Sequence, residues 1–98
     1  VKVKEAKMTV AHSKAWDELQ WACSYRDTLV FKEVVSVGQL VFMFNKSNYE
    51  WTPYWVVEEN EGKFNLISAY GDERVDGVCA DKLGIAVGRS GMTYQELY

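Results

Sequence analysis

The chain has 98 residues, 48% hydrophobic and 14% aromatic, which suits one packed domain spanning residues 1–98 and excludes a disordered tail. Its net charge of −3, with no basic stripe among the aromatics, argues against nucleic acid as a ligand, and no apolar stretch approaches the roughly 20 residues of a membrane span. A single histidine, His12, and two distant cysteines, Cys23 and Cys79, leave no catalytic triad and no metal-ligand spacing to assign, so neither an enzyme nor a cofactor is expected.

Val1 to Val10 opens with Val and Lys in alternation and reads as an extended arm or edge strand, its lysines discouraging pairing with other chains. Ser13 suits a helix N-cap, and Lys14 to about Tyr25 follows as a helix whose Ala15, Trp16, Leu19, Ala22 and Cys23 share one face. Trp21 and Tyr25 form a second stripe, which either packs under a loop or joins an interface. Arg26 to Thr28 breaks the helix. Leu29 to Val37 is β-branched enough for a strand, with a helix capped by Gly38 as the competing reading. Leu40 to Phe44 is a short strand apolar on both faces, and Asn45 to Asn48 is a polar loop.

The clearest signal is the hairpin of Tyr54 to Glu59 and Lys63 to Tyr70 around Asn60-Glu61-Gly62. A type I turn ending in a glycine bulge predicts Glu59 opposite Lys63, Val57 opposite Asn65 and Trp55 opposite Ile67. Tyr54, Val56, Glu58, Phe64, Leu66, Ser68 and Tyr70 then form the core face. Trp55, Val57, Ile67 and Ala69 lie opposite, and their apolar character predicts a sheet covered on both sides or an exposed patch. Gly71 to Gly77 reads as a charged loop and Val78 to Val87 as a short helix. Thr93 and Glu96 have capping-box spacing, leaving a last helical turn or a closing strand.

Together these readings predict an α+β domain: a mainly antiparallel sheet of four to five strands, an N-terminal helix packed on it and a short C-terminal helix. Cys23 and Cys79 are expected as free thiols, with a disulfide as the alternative. With no charged-then-apolar leader visible, a cytoplasmic location follows.

Function is less legible. From Glu50 to Asp76, seven acids against Lys63 and Arg74 leave a charge of −5, which favours a basic partner. Six of the chain's fourteen aromatic residues fall between Tyr49 and Gly71. The candidate binding residues are Tyr49, Trp51, Tyr54, Trp55 and Tyr70 with Glu58 and Glu59, because Trp and Tyr concentrate at interfaces while nearby acids steer encounter. The alternative is that most of these rings fill the core. Glu58, Glu59 and Glu61 sit at a hairpin tip, where carboxylates are solvated and unsuited to paired acid–base work. The expected function is a non-catalytic protein-binding module, including a small acidic inhibitor that masks a basic surface, with weak homodimerisation. The alternative is a small-molecule binder with an aromatic pocket for a cationic or apolar ligand.

Residues 37–83 also resemble the Tudor family of SH3-like barrels. VGQLV resembles the opening strand, the hairpin the middle, and AYGDERV the Tyr-Gly segment before the last strand. The resemblance covers about half of the chain, and Ala69 stands where the family has Asp before Tyr-Gly. It implies a small barrel with an aromatic cage for methylated Lys or Arg.

Overall fold

The computed structural model describes residues 15–31, 35–71 and 73–97. The expectations for the arm Val1 to Val10, for His12 and for the Ser13 cap lie outside them. Residues 15–24 form helix α1. Six strands follow: β1 (Leu29–Phe31), β2 (Leu40–Asn45), β3 (Glu50–Asn60), β4 (Lys63–Ser68), β5 (Arg74–Cys79) and β6 (Leu83–Ala86), then helix α2 (Tyr94–Leu97). They make one antiparallel sheet in the order β1-β6-β2-β3-β4-β5. The meander β2 to β5 passes through a 3-10 turn, Ala80–Lys82, and β6 returns to pair with β2. β1 adds an outer edge beside β6.

The sheet has six strands, not four or five. Both extra strands come from the C-terminal third, which the sequence reading divided between a loop and a helix. Arg74–Cys79 is a strand despite its charges because they lie outside while Val78 points into the core. Val78 to Val87 is not a helix: Leu83 and Ile85 alternate into the core, and Gly84 lies beneath Leu29 and Phe31 of β1. A Cβ at Gly84 would meet Leu29 at 3.1 Å and the Phe31 ring at 3.2 Å, so the glycine admits β1 closely. The capping box does form. Thr93 N–H donates to Glu96 Oε2 at 3.1 Å, and Glu96 N–H donates to Thr93 Oγ1 at 3.4 Å, starting α2.

The hairpin turn differs from the expected one. Glu61 and Gly62 both have positive φ, 53° and 81°, between the partners Asn60 and Lys63. This is a two-residue type I′ turn, whose twist matches that of the strands it joins. The extra residue is absorbed by a bulge at Val57, where the register shifts between Val56 and Glu58. Trp55 therefore faces Ile67 as predicted, but Glu59 meets Phe64 and Glu58 meets Asn65. The shift also reverses the alternation, which is why Tyr54 and Val56 are buried while Glu58 is exposed.

Two apolar clusters lie on opposite faces of the sheet. The inner one joins Val41, Tyr54, Val56, Phe64, Leu66, Val78, Leu83 and Ile85. The outer one places Leu19 and Ala22 of α1 against Leu40, Phe42 and Ala86, with Trp21, Trp51, Trp55 and Ala69 at its margins. Trp16, expected on the buried stripe, is 52% exposed, because α1 makes its contact one turn later at Leu19 and Ala22. Trp21 and Tyr25 pack under the C-terminal segment: their rings are 4.9 Å apart, and Tyr94 lies 6.0 Å from Trp21. No described helix is long and apolar enough to cross a membrane. Cys23 and Cys79 are free.

Candidate binding surface

On the face that carries α1, successive strands bring Leu29 and Phe31, Gly84 and Ala86, Leu40, Phe42 and Phe44, and Trp51 and Trp55 side by side. The helix cluster takes in Leu40, Phe42 and Ala86. Beyond it, four rings continue in a row: Phe31 to Trp51 at 5.4 Å, Trp51 to Phe44 at 5.4 Å, and Phe44 to Tyr49 at 6.4 Å. Exposure rises along the β2–β3 hairpin to its tip, from 38% at Phe44 to 80% at Tyr49, and Phe31 is 48% exposed. Phe44 and Trp51 are direct cross-strand partners. Such an edge-to-face pair contributes about 0.5–1.5 kcal/mol beyond its area burial.

The loop from Lys46 to Tyr49 is held by its own asparagines. Asn45 Oδ1 accepts from Ser47 N–H at 2.9 Å, and Asn48 Oδ1 accepts from Glu50 N–H at 3.2 Å. Tyr49 occupies the left-handed region at φ 55°, a conformation uncommon for a bulky residue, and this turns its ring beside Phe44.

The other end of β3 is polar. Arg74 reaches Asp76 at 2.7 Å and Glu58 at 3.5 Å. Asn65 donates through Nδ2 to Glu58, while its Oδ1 accepts from Gly77 N–H at 3.0 Å. Gly77 has φ 70° and lies where β5 bulges against β4, so one carboxamide satisfies a backbone group freed by the bulge and also binds the neighbouring strand. Lys63 Nζ donates to Cys79 Sγ at 2.7 Å.

The seven residues singled out from the sequence do not form one site. Tyr49 and Trp51 belong to the ring row. Tyr54 is in the inner core at 2% exposure, where burial first and the Glu73 charge second push its phenol above the ordinary value. Trp55 packs at the margin of the helix-side cluster. Tyr70 is exposed, but its hydroxyl meets Cys23 Sγ of α1 at 3.0 Å, and burial followed by that contact raises its pKa. Glu58 and Glu59 are at the far end of β3 from Trp51, with Glu58 roughly 20 Å away along extended strand. The rings and the acids are therefore separate features.

Phe31 and Phe44 are the members of the row that sequence reasoning missed. The signal for Phe44 was present, since alternation through LVFMF sets it on one face with Leu40 and Phe42. Phe31 had no such signal, because β1 joins β6 only through long-range pairing.

A separate cleft lies beneath α2, lined by Trp21, Leu40, Ile85, Thr93 and Tyr94 among others, and none of the four rings of the row lines it. Among the described residues, no group of three or more His, Cys, Asp or Glu is placed to hold a metal ion. No protein-family model matches the chain, and no match is found among curated proteins or solved structures.

Proposed function

We propose that this chain is a non-catalytic protein-binding module whose anchor is the ring row Phe31, Trp51, Phe44 and Tyr49. The observation that carries the reading is the exposure of Phe31, Phe44 and Tyr49, which with the half-buried Trp51 continue past the edge of the helix-side cluster. Scattered exposed apolar residues need no explanation, but contiguous aromatic surface of this kind is a feature of interaction sites. The partner is a protein with a basic surface, because the stretch from Glu50 to Asp76 carries the chain's excess negative charge. The row supplies the holding contacts, while Glu50 and the acids of the far hairpin steer approach. A small inhibitor that covers a basic site is one form such a module takes, and a cytoplasmic location accords with two free cysteines. The same row, beside the edge strand β1, suits a weak symmetric contact between copies, which sedimentation across the micromolar range tests.

Partner capture from the source cells, comparing the wild-type chain with Phe31→Ser and Tyr49→Asn, tests the main reading. Loss of a basic partner with both variants, each keeping its melting temperature, is the expected result. Undiminished capture by both variants would refute it. A second reading, a site for a cationic small molecule, is favoured by the interplanar angles of 68° and 65° that Phe44 makes with Trp51 and Tyr49, since steeply inclined ring faces can flank one cation. Titration with tetramethylammonium, followed by tryptophan fluorescence, separates the two readings.

A further inference from the structure

Lys63 opens β4, Cys79 closes β5, and the antiparallel register sets the two directly opposite each other. The Lys63 amine lies 2.7 Å from the Cys79 sulfur. Lys63 is exposed and Cys79 is half-buried, so a small solute reaches the pair from solvent. Cys23, the other thiol, meets the Tyr70 hydroxyl instead.

We propose that Lys63 and Cys79 form a reversible covalent cross-link when the chain meets a peroxide. In the first step the sulfur attacks one peroxide oxygen and the O–O bond breaks. The sulfur is oxidised by two electrons to a sulfenic acid, and the other oxygen leaves as water. In the second step the Lys63 nitrogen attacks that sulfur. Once the ammonium has lost one proton to solvent, an S–N bond forms, the S–O bond breaks, and the departing hydroxide leaves as water with a second proton from the nitrogen. The second step involves no net oxidation. Its product is a sulfenamide, of the kind sulfenic acids are known to form with backbone nitrogen. Attack by an external thiol on the sulfur breaks the S–N bond and releases the amine. A second thiol then restores Cys79.

Position favours this outcome over further oxidation to sulfinic acid, because the amine is held against the sulfur rather than arriving by diffusion. The state of the amine is consistent with it. The sulfur holds Lys63 above its ordinary pKa, through the hydrogen bond first and its charge second. Conversion to a neutral sulfenic acid removes both effects, so the ammonium gives up its proton more readily than it does beside the reduced sulfur. The link would tie β4 to β5 below the hairpin turn and remove one positive charge, taking the chain from its net −3 to one unit more negative. Glu59 and Glu61 would then stand at a more strongly acidic tip.

The test uses the 98-residue chain carrying Cys23→Ser, treated with hydrogen peroxide and examined by intact mass and peptide mapping. The expected product is lighter by two hydrogens, joins the peptides containing Lys63 and Cys79, melts higher than the reduced chain and is reversed by dithiothreitol. A dione probe for sulfenic acid should label Cys79 about tenfold more in Lys63→Arg, which keeps the charge but not the amine. Equal labelling in the two proteins, or sulfinic acid at Cys79 with Lys63 unmodified, would overturn the proposal. A joined pair that retains one oxygen atom would overturn the direct S–N bond.

Discussion

The two ends of β3 are built from different materials. At the Trp51 end, rings from β1, β2 and β3 lean on one another, with Phe31 and Phe44 open to solvent and Trp51 half-buried. At the Glu58 end, side chains from β3, β4 and β5 are joined by hydrogen bonds and ion pairs around Asn65. One strand carries both because its bulge at Val57 reverses the alternation, so its first half follows the helix-side pattern and its second half turns a glutamate outward. The ring row proposed for recognition and the polar network can therefore be changed separately.

The largest expected effect is where the ring row runs back into the core. Phe42 is fully buried between the helix and the sheet, and Phe42→Ala should cost about 3–5 kcal/mol, read as a denaturant midpoint. A loss similar to that of an exposed-ring variant would mean that α1 is not firmly seated. Next comes Gly84→Ala, which adds a methyl beneath Leu29 and Phe31. It should cost about 1–3 kcal/mol and displace the first ring of the row, visible as altered Trp51 fluorescence. Unchanged stability and fluorescence would show that β1 yields easily.

At the polar end, Asn65→Ala removes the bridge between Glu58 and Gly77 and should cost about 1–2 kcal/mol, with faster amide exchange at Gly77 and no loss of partner binding. Binding that fell with it would join the two ends functionally. The smallest effect concerns pH. The raised pKa of Tyr54 means that the folded state favours the neutral phenol, so its contribution is fully present below the unfolded value of 10.0 and is lost as pH rises through the higher folded value. Melting temperature should fall more steeply with alkalinity in the wild type than in Tyr54→Phe, and parallel curves would remove Tyr54 as the source.

How much was readable differs between the two ends for a physical reason. Leu40 to Phe44, the β3–β4 strands and the Thr93–Glu96 cap are specified by neighbours in sequence: alternation, a turn, a side chain reaching three residues ahead. The ring row is not. Phe31 approaches Trp51 only because β6 lies between β1 and β2, and β6 lies there only after a whole meander has been completed. The 3-10 turn at Ala80–Lys82 places it, within a stretch whose local pattern also suits a helix.

By itself, then, the sequence determined an α+β class, an antiparallel sheet and the central hairpin, because each depends on short-range periodicity and turn chemistry, whereas the Trp55–Ile67 pairing holds because the bulge at Val57 offsets the shorter turn. Only the tertiary structure decided that there are six strands, that Tyr54 is core while Tyr49 is surface, and that the aromatics and the acids sit at opposite ends of β3. A one-residue bulge and a returning last strand made those decisions. Both answer to packing across the sheet, which no local window of sequence contains.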